Sequence, residues 1–251
     1  GFAIGTETLG SIISPSTRCG VSGLRPTFGK ISTEGFMTLS WSMDKVGPIA
    51  RSARDCAIIL EKIKNQPTKP KMLPFDNMGN KFKIGYLKEM FDKDTSRFSA
   101  NNNQTISFFS KEYDLKPIFL PKEFPFKVFD VILRSEAGAF FDDFLLQGLD
   151  SNMVEQGSRS RANSLRQARL IPAVEYIQAN RHREKLIKEV ASLFKEFDVI
   201  LSPSFGGNQL LITNLTGHPV ISIPNGFDKK GHPTSISLIG NYNSEHKILY
   251  F

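Results

Sequence analysis

Among the side chains able to do chemistry, Ser11 stands out for its surroundings. It lies in Gly5-Thr6-Glu7-Thr8-Leu9-Gly10-Ser11-Ile12-Ile13-Ser14-Pro15, and Cys19-Gly20-Val21-Ser22-Gly23-Leu24-Arg25-Pro26-Thr27 follows closely. A serine hydroxyl is a weak nucleophile at its free pKa. It becomes effective when a base takes its proton and preorganised N–H donors meet the oxygen that turns negative. Small residues let the backbone approach a reacting atom closely. A lone Gly-x-Ser, however, is common and carries little weight. A second candidate feature is Gly206-Gly207-Asn208-Gln209, just past a predicted strand that ends at Pro203. Loops beyond strand ends are where α/β proteins hold ligands, so Gly207, Asn208 and Gln209 are expected at a pocket edge.

Other reactive residue types are sparse. His182, His218, His232 and His246 are far apart, and none has a metal-ligand partner at short spacing, so no metal is expected. Cys19 and Cys56 are too few for a disulfide framework and read as two buried thiols.

These residues need a scaffold. The dense Gly, Ser and Thr content from Gly1 to Thr27 predicts turns and loops rather than regular structure. Ser52 and Asp55 resemble a capping box, and Ala53, Cys56, Ala57, Ile59, Leu60 and Ile63 follow at helical spacing, predicting a helix over 52–64. A Pro-rich connector over 65–74 leads to a short buried strand over 83–87. Further helices are predicted over 95–113, 126–148 and 165–197, with Pro172 starting or kinking a helix, and strands over 115–120, 198–202, 219–224 and 234–239. Ser244 is placed to cap a last helix. Strands alternating with helices imply an α/β protein with a central sheet covered on both faces.

The layout around Ser11 resembles the amidase signature. Arg25-Pro26-Thr27 with Gly29 is similar to that family's Lys-Pro-Thr-x-Gly turn. Trp41-Ser42-Met43-Asp44-Lys45-Val46-Gly47-Pro48 is similar to its segment leading into a capped helix. Near the other end, residues 198–203, Asn214-Leu215-Thr216-Gly217-His218-Pro219 and Ile223-Pro224 resemble its late strands and the turn between them. The resemblance spans both ends around a variable middle, about 67–159. It implies a mixed sheet, one partial amidase domain over 1–251, a signature loop over 1–27, and a C-terminal helix and strands over about 165–251. It makes Ser11 the nucleophile and the backbone N–H groups of Thr8, Leu9, Gly10 and Ser11 the oxyanion hole. Two positions depart from the common Gly-Gly-Ser-Ile-Arg: Leu9 replaces a glycine and Ile13 replaces the arginine.

The resemblance further implies a Ser-cis-Ser-Lys triad acting through an acyl-enzyme, without a cofactor, on a small-molecule carboxamide. The lysine and second serine belong upstream of the signature loop, so the chain is expected to be a fragment that lacks them and the extreme C-terminus. It is expected to be inactive alone and active as part of the intact protein. The alternatives are a glutaminase-type amidotransferase subunit supplying ammonia to a partner, and a non-catalytic relic of the fold. The segment Arg166 to Arg181 reads as a packed helix, with a substrate-lining role as the other reading.

Composition narrows the partners. The chain has 32 basic and 25 acidic residues and 40% hydrophobic content, as in a globular protein. Arg159, Arg161, Arg166 and Arg169 cluster, but they keep no single helical face and lack stacking aromatics, so they read as a solvated surface rather than a nucleic-acid groove. No apolar run is long enough to span a bilayer. A homodimer is one assembly this reading allows, and the expected compartment is the cytoplasm.

Overall fold

A computed structural model describes residues 1–65 and 82–251. Most of the predicted connector over 65–74 lies outside these residues. The strands are β1 (Phe2–Glu7), β2 (Ser22–Arg25), β3 (Lys45–Ala50), β4 (Ile84–Leu87), β5 (Lys116–Ile118), β6 (Val199–Pro203), β7 (Val220–Phe227) and β8 (Pro233–Gly240). The helices are α1 (Ile13–Cys19), α2 (Ala53–Ile63), α3 (Lys88–Asp92), α4 (Ser99–Glu112), α5 (Val128–Phe140), α6 (Asp142–Leu146), α7 (Arg161–Ala168), α8 (Ala173–Leu193), α9 (Gln209–Thr216) and α10 (Glu245–Tyr250).

The strands form one mixed sheet in the order β1-β3-β2-β7-β8-β6-β4-β5. β4 runs parallel to β5 and β6, and the remaining pairs are antiparallel. Successive side chains of a strand point to opposite faces, so continuous apolar runs mark strands buried on both sides. Leu201, Ile221 and Leu238 join Cys56 and Leu60 of α2 and Ile248 of α10 in one core. Their neighbours Ile200, Val220 and Ile239 join Ile13 of α1, Ile132 of α5, Leu186 of α8 and Ile212 of α9 in the other. Helices thus cover both faces, as expected.

The first 27 residues are more regular than their composition predicts, for they hold β1, α1 and β2. Ser16 and Thr17 donate their hydroxyls to the carbonyls of Ile12 and Ile13 one turn back, so they satisfy themselves inside a helix they would otherwise disfavour. Pro15 sits in the first turn of α1, where a missing N–H breaks no helical bond. β3 is a second element hidden behind its composition. Gly47 is needed there, because a Cβ would lie 2.0 Å from the Leu24 carbonyl oxygen of the adjoining strand. α9 also escaped the sequence: Thr213 and Thr216 bond back to carbonyls one turn earlier, and burial around most of its surface removes the amphipathic signal. The capped helix forms as predicted, with Ser52 accepting from the Asp55 N–H. Pro172 starts α8, as one of its two readings had it, after α7 ends at Ala168. Ser244 precedes α10 without a side-chain capping bond. Cys56 is buried but Cys19 is exposed, a correction to the expectation of two buried thiols; Cys19 is the last residue of its helix and points away from the sheet core.

Candidate active site

Ser11 is exposed on the turn between β1 and α1, and a buried carboxylate holds that turn. Glu7, the last residue of β1, accepts from the N–H groups of Ile12 (2.9 Å) and Ile13 (3.1 Å) with one oxygen. With the other it accepts from Arg25 (2.8 Å) and the Asn214 amide (2.8 Å). The first pair of bonds satisfies orphan donors at the start of α1, where a negative charge is also favoured by the helix dipole. Burial alone would raise the Glu7 pKa. The Arg25 charge and the hydrogen bonds from Arg25, Asn214 and Ile12 overcome it and bring the value to about 2. Burial disfavours the Arg25 cation as well, with Glu7 offsetting part of that effect. Ile13 is buried in the apolar core, and the cation that neutralises Glu7 is Arg25 of β2.

With both ends of the turn tied, the residues between them are displayed. Gly10 adopts φ +79°, a conformation that glycine takes without strain, and its backbone lies against Leu210 of α9. Leu9 is not in the left-handed region, so its side chain is accommodated. Among the described residues, the backbone N–H groups of Thr8, Leu9, Gly10 and Ser11 donate to no protein acceptor. The Thr8 hydroxyl donates to Asp44 (2.5 Å), whose second oxygen accepts from the N–H groups of Leu39 and Ser40. An exposed hydroxyl beside a run of unpaired N–H donors is chemically able to attack a carbonyl and hold the resulting oxyanion.

Ser11 opens on a cavity of about 460 Å³. Thr8, Asp44 and Lys45 form its polar side; Phe36, Met37 and Leu39, with Phe141, Phe144, Met153 and Leu165, form an apolar wall; Arg161 stands at the rim. Lys45 is buried, and burial first and the Arg25 charge second push its pKa well below the usual lysine value. Its amine donates to the carbonyl oxygens of Met43 and Asn214. Arg166 pairs with Asp150 and Arg169 with Asp142, whereas Arg161 makes no ion pair among the described residues.

Gly207 and Asn208 line a separate cavity of about 500 Å³, beside the carboxyl ends of β4, β5 and β6 and with Met90, Phe119 and Phe205. Gln209 is fully buried and donates to the carbonyls of Pro203 (3.2 Å) and Ser204 (3.0 Å). The structure therefore does not bring these three residues into the Ser11 cavity. His218 is buried between Phe194 and Tyr242, and burial and Arg25 lower its pKa to about 3. Among the described residues no group of three or more His, Cys, Asp or Glu side chains is arranged to hold a metal ion. No helix among them is long and apolar enough to cross a membrane. Sequence reasoning missed Glu7, Asp44, Lys45, Asn214 and Arg161. A carboxylate one turn ahead of a helix was a usable signal for Glu7; Asn214 lies 207 positions from it and left none.

Residues 1–213 match the model of the amidase family. The chain belongs to the amidase family. It is 31% identical to a glutamyl-tRNA(Gln) amidotransferase subunit from Prochlorococcus marinus subsp. pastoris, over 98% of this chain and 62% of the relative. The Archaeoglobus fulgidus protein of the same name is 27% identical over 100% of this chain and 64% of its own length. Among solved structures, the peptide amidase from Stenotrophomonas maltophilia superposes with a TM-score of 0.79 at 23% identity, over 99% of this chain and 60% of that one, a likeness of fold. The chain thus spans less than two thirds of the length of these relatives. At the family level it is related to hydrolases acting on carbon–nitrogen bonds.

Proposed function

We propose that the protein carrying this chain hydrolyses a small or medium carboxamide through an acyl-enzyme on Ser11. The observation that carries this reading is the exposed Ser11 hydroxyl on a turn held by Glu7, with the adjoining N–H groups unpaired among the described residues. Ser11 Oγ attacks the carbonyl carbon, and its proton passes to the departing nitrogen through the lysine and second serine that the family resemblance places upstream of the signature loop. Ammonia or an amine leaves. Water then adds to the ester, gives its proton to the same relay, and the acid departs as Ser11 regains its own. The N–H groups of Thr8, Leu9, Gly10 and Ser11 hold the oxyanion, each worth about 3–4 kcal/mol in related sites. No cofactor enters this sequence of steps. The wall of Phe36, Phe141 and Phe144 favours an amide with an apolar acyl portion. Labelling with a fluorophosphonate tests the assignment: the wild-type protein should react at Ser11 and Ser11→Ala should not. Labelling that persists in the variant refutes it.

A second reading is a glutaminase-type subunit that supplies ammonia to a partner. Arg161, which lines the Ser11 cavity and makes no ion pair among the described residues, favours it, since a guanidinium there is able to hold a substrate carboxylate. The names of the curated relatives point the same way. Release of glutamate from glutamine, with a raised KM in Arg161→Gln, would select this reading. Turnover of apolar amides but not of glutamine would select the first.

A further inference from the structure

We propose that Glu136 is a positioning residue for the Ser11 loop; the inference rests on the amidase reading above. Glu136 lies on α5, far from Ser11 in sequence, and is fully buried. One carboxylate oxygen accepts from the Ser40 hydroxyl (2.5 Å) and the Ser42 N–H (3.1 Å), and the other accepts from the Tyr176 hydroxyl of α8 (2.8 Å). Arg183, also on α8, donates to the Ser42 hydroxyl and carbonyl (both 2.7 Å) and to the Leu215 carbonyl. Two helices, α5 and α8, thus grip residues 40–42.

Those residues are the start of a tight turn that carries Asp44. The N–H groups of Met43 and Asp44 both donate to the Ser40 carbonyl, and the Ser40 N–H donates to the Asp44 carboxylate. Asp44 in turn accepts from Thr8, whose backbone opens the run of donors ending at Ser11. The path from Glu136 through Ser40 and Asp44 to Thr8 is therefore continuous, with hydrogen bonds at every junction between segments. The Ser40 hydroxyl is buried and costly to leave unpaired, and the Ser42 and Tyr176 donors are part-buried, so the carboxylate holds the turn in one place. Small displacements of a nucleophile and its oxyanion donors lower turnover steeply, while the apolar lining outside this turn, such as Met153 and Leu165, still holds the probe.

Saturation kinetics of fluorophosphonate labelling at Ser11, with a parallel thermal melt, test this in the protein carrying the chain. In Glu136→Ala the limiting labelling rate should fall roughly tenfold to hundredfold, while the half-saturating probe concentration stays within about twofold. Glu136→Gln should restore the rate to within a few-fold, because its carbonyl can accept from Ser40 and Ser42 while its amide donates to the Tyr176 oxygen. Ser40→Ala keeps the carboxylate and removes only the link to the turn; it should lower the limiting rate even if Glu136→Ala does not fold. A folded Glu136→Ala or Ser40→Ala that labels at the wild-type rate overturns the proposal, as does a Gln variant as impaired as the Ala one. A wild-type protein whose Ser11 ignores the probe overturns the amidase reading, and this inference with it.

Discussion

Replacing Glu7 with glutamine probes the join between stability and site. The carboxylate accepts four hydrogen bonds, two from the start of α1 and one each from Arg25 and Asn214. An amide in its place turns one oxygen into a donor that faces donors, and it leaves the Arg25 guanidinium buried without a counter-charge. Breaking a buried ion pair in this way costs about 3–5 kcal/mol, more than the intact pair contributes, because burial penalises both ions. Acid offers an independent measure. A glutamate pKa brought from 4.5 to about 2 corresponds to about 3 kcal/mol at about 1.4 kcal/mol per pH unit. Because the folded-state value is the lower one, this stability is fully present above about pH 4.5 and is lost as pH falls toward 2. Urea unfolding of wild type and Glu7→Gln from pH 7 to pH 2.5 is the assay. The two curves should lie several kcal/mol apart at neutral pH and converge at the acid end. Parallel pH dependences, or a variant as stable as wild type at pH 7, would refute the electrostatic account of the turn.

Other expected outcomes follow from single residues. Gly10→Ala forces a side chain into φ +79° and to within 3.1 Å of Leu210; it should destabilise by about 1–2 kcal/mol and lower the rate of Ser11 labelling by tenfold or more. Gly47→Ala would place its Cβ 2.0 Å from a backbone oxygen and should abolish soluble expression, as judged from the yield of folded protein. His218, with its pKa lowered to about 3, should stay neutral in the folded state down to that pH. The unfolded histidine takes up its proton near pH 6.5, so stability should fall as pH drops from about 6.5 toward 3. His218→Phe should flatten that window, and an NMR signal assigned to the His218 imidazole by its loss in that variant, titrating near pH 6.5 in the folded protein, would contradict the burial argument.

The family and most of the architecture were legible because they depend on local chemistry. The Ser11 turn, the capped α2 and the apolar strands β6, β7 and β8 each carry their pattern within a dozen residues. Burial of the central strand β6 on both faces follows from the same kind of apolar run. β1, α1, β2, β3 and α9 were not legible. Their Ser, Thr, Gly and Pro content argues for turns until the tertiary contacts that satisfy those residues are known.

For the site, the sequence by itself placed Ser11 on a glycine-bearing turn through its resemblance to the amidase signature, since small residues in a turn are a local property; the strand before that turn and the helix after it came only from the structure. The sequence did not determine what holds that turn or what faces it. Gly207 and Asn208 sat in a plausible place by sequence, yet the fold puts them in another cavity, while Arg161 and Phe141 come to the Ser11 side. Glu7, Arg25 and Asn214 meet from β1, β2 and α9, and Glu136 reaches Ser40 across 96 positions. Such pairings arise because a buried charge or donor must find its partner wherever packing brings one, and no spacing rule along the chain encodes that meeting.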